Sequence, residues 1–414
     1  MFATHILNRS GTGYLIRLSA FLILFQATLS IANSAFLGLD RMQDNALTVN
    51  IQSIVKATSS LLLIVFFGLS VVGALVGHVL GYMAAAISGF LILFLKHYRN
   101  LGGAPKGNSF SNNLRVMVGY GFPLYVSTLL GSLLGQYQTI ILAIFTSNTD
   151  IGNLSVAMNL TALIGLLTFP LSVLFPAFSK VDPKGDETKR LFRLSVKYTS
   201  LLIVPAATAV AVLSRDLVLL IYGIDFSLAP LLLSTYAINF LYVGIGSMVL
   251  SHLLSGAGET KLILKALLIN LSIFVPLAPA LTWLDGVLGL KAGLLASSLL
   301  SLIYQLSMAR KKLGVDFNPR EFLKIYLASA ISAVPTLLFI HLSPLNTLPN
   351  LIIGGSVFLL TYLTLTPIIG AITHTDLQNL NFIFSKIKFV WSILKLLLRY
   401  ENKVLLTVSP PAQS

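Results

Sequence analysis

No cysteine occurs in the 414 residues, which excludes disulfides, thiol catalysis and cysteine metal sites. Charge is scarce as well: Asp, Glu, Lys and Arg make up 10% of the chain against 56% hydrophobic residues, far from the balance of a soluble domain. The scarcity is uneven, because none of the 14 carboxylates falls inside a long apolar stretch, whereas Arg17, Lys56, Lys197 and Lys291 do. A charge within a bilayer costs at least about 2–3 kcal/mol, so such residues face a water-filled path or a partner. The unpaired sign is positive, which points to an anion as the thing handled and leaves out the acidic relay of a cation-driven pump. There is no His/Asp/Glu cluster at metal spacing and no Gly-rich loop ending in Lys-Ser/Thr. The expectation is therefore no metal, no cofactor, no ATP hydrolysis and no enzymatic step. The start, MFATHILNRSGTGY, lacks a small-residue cleavage site after a short apolar core, so no cleavable signal peptide is expected.

What is present is a succession of apolar stretches. A span needs about 20 such residues, and about eleven are legible: 13–36, 46–68, 71–94, 116–145, 153–178, 195–213, 228–254, 262–284, 287–308, 322–343 and 350–372. The fold class is all-α, a polytopic membrane protein. The net charge of +14 could attract nucleic acid, but its distribution belongs to a membrane. Lysines and arginines cluster in alternate loops: Lys96, Arg99, Lys106 and Arg115; Lys180, Lys184, Lys189, Arg190 and Arg193; Lys261 and Lys265; Arg310, Lys311, Lys312, Arg320 and Lys324. The intervening loops hold only Arg215. The positive-inside rule makes the basic loops and the C-terminus cytoplasmic and places residues 1–12 outside.

The organisation reads as 1–95, a three-span N-terminal part; 96–115, a cytoplasmic loop; 116–308, six spans; 309–373, a further pair; and 374–414, a cytoplasmic tail. In the tail Ser385, Lys388, Ser392, Lys395 and Arg399 recur at spacings of three and four, with Phe384, Ile387, Trp391, Leu394 and Leu398 on the other side. That pattern predicts an amphipathic helix on the anionic inner leaflet rather than a twelfth span. Pro123, Pro170, Pro176, Pro205, Pro276 and Pro279 punctuate the spans, where freed carbonyls permit kinks. Gly73, Gly77 and Gly81 form a small-xxx-small run, the signature of close helix packing.

The segment GYGFPLYVSTLLGSLLGQYQTIILAIFTSNTDIGNLSVAMNLTALIGLLTFPLSVLFPAFSK, residues 119–180, together with AFLGLDRM, VKYTSLLIVPA, SRDLVLLIYG and LLSGAGETKLILKALL, resembles the Wzx-type polysaccharide flippases of the multidrug/oligosaccharidyl-lipid/polysaccharide exporter superfamily. The resemblance covers nearly the whole chain. It implies two six-helix lobes around a central cavity and movement of lipid-diphosphate-linked oligosaccharides by alternating access. Matched this way, the spans correspond to the fourth to fourteenth of a fourteen-helix member. Residues 116–308 would then be a complete second lobe, and 13–94 half of an incomplete first lobe. Where family members commonly carry an acidic residue, this chain has Gln136 and Gln138.

A flippase does no covalent chemistry, so the candidates are side chains that could line a polar path. Asn45, Thr48, Gln52, Lys56 and Ser60 share one face of the second span at helical spacing, opposite Leu47, Ile51, Ile54 and Val55. Lys56 and Gln52 are therefore path candidates, with a shallow lysine snorkelling to the surface as the alternative. Lys291, with Ser298, Ser301 and Gln305 along one face, suits the release side, or else an outer interface. Gln136 lies in the stripe Tyr125, Thr128, Ser132, Gln136 and Thr139, and Asn239 lies with Thr235 and Tyr242; sugar hydroxyls and interhelical hydrogen bonds explain these stripes equally well. Arg17 and Lys197 are weaker candidates, the latter at the cytoplasmic mouth. The expected partners are a lipid-linked oligosaccharide, membrane lipids and polysaccharide-assembly proteins, with no nucleic acid, and the expected site is the plasma membrane. A drug/cation antiporter of the same superfamily and a non-transporting fragment stay open. A membrane glycosyltransferase or polymerase would need acidic residues on substantial outer loops, where only Asp150, Asp216, Asp225 and Asp285 stand.

Overall fold

Inside hydrocarbon a backbone must satisfy its own N–H and C=O groups, which leaves helices or closed barrels. The computed structural model describes residues 13–100, 110–316, 318–384 and 388–408, and among these every regular element is helical. Lys106, Ser385 and Ile387 lie outside the described residues, as do residues 1–12 and the side chains of Phe384, Lys388, Trp391, Ser392 and Leu394. Among the described residues nine helices are long and apolar enough to cross a membrane, and a pair bent by 49°, Ala229–Ile245 with Ser247–Gly256, makes a tenth. The 54-residue helix Thr260–Leu313 is interrupted by non-helical φ/ψ at Asp285 and Gly286. Divided there it is two spans, which brings the count to the expected eleven.

The chain divides into two compact units, residues 1–110 and 111–414. Unit 1 contains α1 (Gly13–Gly38), α2 (Met42–Val65) and α3 (Ser70–Ile92), the last continuing through a π turn, Leu93–His97. Lipid tails give helices no hydrophobic reason to associate, so close approach depends on small residues. A Cβ on Gly77 would collide with Ser60, one on Gly81 would sit 2.8 Å from the Lys56 Cβ, and one on Gly73 would sit 3.0 Å from the Leu63 backbone. The glycine run of α3 therefore packs on α2, as its spacing predicts. At the far end of this pair Asp44, buried in the first turn of α2, holds Lys96 at 2.7 Å and His97 at 2.9 Å.

Unit 2 opens one residue into α4 (Phe110–Phe145), which α5 (Asn148–Gly165) follows. The fifth span then tightens into a 3₁₀ turn through Pro170 (Leu166–Val173) and resumes as α6 (Leu174–Ser179). Next come α7 (Asp186–Val212), α8 (Ser214–Tyr222), the bent pair α9 (Ala229–Leu241) and α10 (Ser247–Gly256), α11 (Thr260–Leu313), α12 (Pro319–Leu342) and α13 (Thr347–Ile368). A hairpin closes the described chain, α14 (His374–Phe384) and α15 (Lys388–Val408). The basic loops of this unit meet at one end: Lys312 binds Glu259 at 2.7 Å, Lys324 donates to the Gly370 carbonyl at 3.1 Å, and Lys197 binds Asp376 at 2.6 Å. At the other end Asn153 accepts from the backbone N–H groups of Leu228 and Ala229, at 3.1 and 2.9 Å, and so caps the start of α9.

The tail differs from the expected surface helix. The described part of α15 buries Leu398, Glu401 and Leu405, with Thr366 of α13 donating to the Glu401 carboxylate at 3.0 Å. At these three positions the helix meets protein, because the last span ends beside it and offers leucines and a hydroxyl.

The reversal inside α11 makes a sharp test of this packing. Gly286 has φ +52 and ψ −132, a region open to glycine almost alone, so Gly286→Ala is expected to cost about 1–3 kcal/mol. At Gly289 a Cβ would strike the Leu281 carbonyl of the opposing leg, so Gly289→Val should lower the thermal midpoint in detergent further than Gly286→Ala. A Gly289→Val protein as stable as wild type would contradict this leg-to-leg contact. The tail gives a second test. Burial pushes the Glu401 carboxyl up from 4.5 to about 7, partly offset by the Thr366 hydroxyl. The docking of α15 should accordingly be strongest below the ordinary carboxylate range and weaken as pH rises through about 7. Hydrogen exchange in α15 should thus be faster at about pH 8 than at about pH 5, after correction for intrinsic rates, and Glu401→Gln should flatten the difference.

Candidate functional site

Unit 1 brings Lys56 and Gln52 together. Both are half-buried on the α2 face that receives α3, where a Cβ at Gly81 would meet the Lys56 Cβ and the Gln52 carbonyl. Along the same stripe the Thr48 hydroxyl, fully buried, donates to Asn33 of α1 at 2.9 Å, and Ser60 reaches the Ala74 carbonyl at 3.5 Å. The polar stripe read from spacing is therefore in large part an interhelical seam, with Lys56 and Gln52 at its half-open edge. Leu47 and Ile54 on the opposite face are exposed, as a lipid-facing surface requires. Arg17 is exposed on α1.

Unit 2 handles its candidates differently. Lys291 is 2% exposed, and its ammonium lies 3.4 Å from the centre of the Tyr236 ring. Its Nζ has no hydrogen-bond partner among the described residues. A cation over an aromatic face gains about 2 kcal/mol when desolvated, which explains how α11 tolerates it there. Lys291 thus sits neither on an open path nor at an outer interface in this conformation. Ser301, from the same stripe, donates to the Ala266 carbonyl at 2.6 Å, while Gln305 is half-buried one turn on.

Gln136 and Asn239 are exposed within unit 2. Around Gln136 the whole stripe Tyr125, Thr128, Ser132, Gln136 and Thr139 is uncovered by its own unit. The hydroxyls of Thr128, Ser132 and Thr139 donate to carbonyls one turn back, at 3.0, 3.0 and 3.1 Å. Interhelical hydrogen bonding inside the unit therefore does not account for this stripe. Asn239 stands three residues beyond Tyr236 on α9, and nearby Tyr242 donates to the Leu295 carbonyl of α11 at 3.1 Å.

Lys197 requires a correction. It does not stand at an open mouth: it is buried and its ammonium is 2.6 Å from Asp376, which also accepts from Thr373 at 2.6 Å and from Tyr198 at 3.3 Å. The positive charge of this span is paired after all, by a carboxylate 179 positions away in the tail. Periodicity assigns a residue to a face and carries no signal for such a partner. Thr373 caps the start of α14 beside Asp376, whereas Lys197 lies within α7, so only the fold joins the two groups.

Three similarities to known proteins follow this geometry. Residues 1–182 match the family described as Polysaccharide biosynthesis protein. A protein of Haloferax volcanii, the probable low-salt glycan biosynthesis flippase Agl15, is 22% identical over 271 residues, covering 65% of this chain and 57% of Agl15. The match thus spans little more than half of that relative's length. Among solved structures, lipid II flippase MurJ in its inward closed conformation is similar with a TM-score of 0.64 at 18% identity, over 85% of this chain and 72% of that one. The chain shares that all-helical membrane fold, and the resemblance to polysaccharide flippases seen in its sequence is borne out.

The Lys197–Asp376 pair generates its own test. Removing one member of a buried pair leaves an uncompensated charge at a cost of about 3–5 kcal/mol, whereas replacing both by apolar residues is close to neutral. Asp376→Leu should therefore loosen α14 and expose the tail to limited proteolysis, and Lys197→Met with Asp376→Leu should restore protection. Equal protection in all three proteins would show that the pair holds nothing.

Proposed function

We propose that this chain takes part in translocating lipid-diphosphate-linked oligosaccharides across the plasma membrane, for cell-surface glycan synthesis, by alternating access and without covalent chemistry. The observation that carries the proposal is Gln136 on an uncovered polar arc of a membrane helix. A hydroxyl in lipid can fall back on its own helix, but a side-chain amide has two donors and two acceptor positions, more than one backbone carbonyl can satisfy. Such a group wants water or sugar hydroxyls. Cations within the spans suit a diphosphate, since charge-assisted bonds to phosphate are about twice as strong as neutral ones. The names of the similar proteins, glycan biosynthesis flippase and lipid II flippase, support the same substrate class. In this reading Lys56, Gln52, Asn239 and Gln305 are further path residues. Lys291 is a charge held in reserve on Tyr236, and the basic end of unit 2 is cytoplasmic.

The experiment is reconstitution of the chain in proteoliposomes with a labelled lipid-diphosphate oligosaccharide presented on one leaflet. Translocation is expected, and Gln136→Leu, Lys56→Ala and Lys291→Ala should each lower its rate by about tenfold, the equivalent of one charge-assisted or buried hydrogen bond. Full rates from all three variants would remove the polar path. Absence of translocation together with uptake of a cationic drug would favour an antiporter.

A further inference from the structure

The hairpin after the last span has two carboxylates among its described residues, and both are turned into the bundle. Asp376 is buried on Lys197 at 2.6 Å and Glu401 is buried beneath Thr366 at 3.0 Å. Between the two helices an open cleft of about 430 Å³ remains. His374, Gln378 and Asn381 of α14 face Lys395, Arg399 and Asn402 of α15 across it, over a floor of two leucines. No carboxylate borders the cleft among the described residues. Lys395 and Arg399 are one helical turn apart and exposed, on a helix whose other side is fixed by Leu398, Glu401 and Leu405. The cationic side is therefore held in place by the docking of the apolar side.

We infer that this cleft binds a phosphate group, the shared chemistry of an anionic lipid headgroup and of a free phosphate. A guanidinium offers a planar fork that matches phosphate oxygens, and a lysine adds a point charge beside it. Amide side chains supply neutral donors for the remaining oxygens. The cleft follows the end of the last span, where Lys324 donates to the Gly370 carbonyl, and an anionic leaflet would raise the local concentration of such headgroups. The inference is independent of translocation, since none of the path candidates borders the cleft.

The test uses the full chain in phosphatidylcholine nanodiscs doped with phosphatidic acid, with retained lipid counted by native mass spectrometry. Wild type should retain phosphatidic acid over phosphatidylcholine, and K395Q/R399Q should weaken that retention by about tenfold or more, the worth of one charge-assisted bond or better. K403Q, which alters an exposed lysine of α15 outside the cleft, should behave as wild type. Retention indifferent to added inorganic phosphate identifies the lipid headgroup as the ligand, and displacement by inorganic phosphate identifies the free anion. Equal retention of the two lipids without phosphate binding, or equal behaviour of K395Q/R399Q and wild type, overturns the proposal. Loss of headgroup binding with intact translocation in proteoliposomes would leave the transport reading standing, and the reverse result would separate the two the other way.

Discussion

A charge carried into the interior of a membrane protein has to be met from within the chain, and the packing of this molecule follows from how each one is met. Asp44 takes Lys96 and His97 and thereby joins the start of α2 to the end of α3. Lys197 takes Asp376 and fixes the tail to α7. Among the described residues Lys291 meets the Tyr236 ring and Glu401 a hydroxyl. The first two are saturated and structural. The last two are less fully compensated, and buried ionisable groups of that kind occur at functional sites as well as in structural networks.

Close backbone approach supplies what hydrophobicity cannot supply between helices in lipid. The α2–α3 contact is built on Gly73, Gly77 and Gly81, and the α11 reversal on Gly286 and Gly289. The two uses differ in kind. In α3 the glycines are helical and serve by lacking a side chain, whereas Gly286 serves by its backbone conformation. Large apolar side chains such as Phe66, Phe67 and Ile54 stay outward, where a soluble protein would hide them.

Much of this was legible in the sequence because helices in lipid obey few rules. Length and hydropathy gave the eleven spans, including the gap between 262–284 and 287–308 where Asp285 and Gly286 break the helix, and glycine spacing gave the α2–α3 seam. Basic residues in alternate loops anticipated that Lys189, Lys312 and Lys324 would gather at one end of unit 2. Partners were not legible. Spacing put Lys197 on a face and Lys291 on a stripe, but whether a face looks at water, lipid or another helix depends on neighbours far away in sequence. Hence Lys197 read as an open mouth although Asp376 closes it, and the tail read as lying on lipid although α13 receives it.

The α4 helix shows how burial resolves what periodicity leaves open. At about 100° per residue, its surface falls into three arcs. Pro123, Ile141 and Leu142 lie on the packed arc, and Phe122, Leu129, Leu133 and Ile140 on an exposed apolar one. Tyr125, Thr128, Ser132, Gln136 and Thr139 form a third arc centred about 80° from the second, with Gln136 at its edge, about 20° from Leu129. If the whole exposed surface met lipid, there would be no reason for polar and apolar residues to separate into two arcs. If it were all a seam, the second arc would not be apolar. Segregation of the two is what a helix acquires when it stands at a boundary, with hydrocarbon on one side and a polar medium on the other. The hydroxyls of the third arc are content in either medium, so the side chain that decides is Gln136.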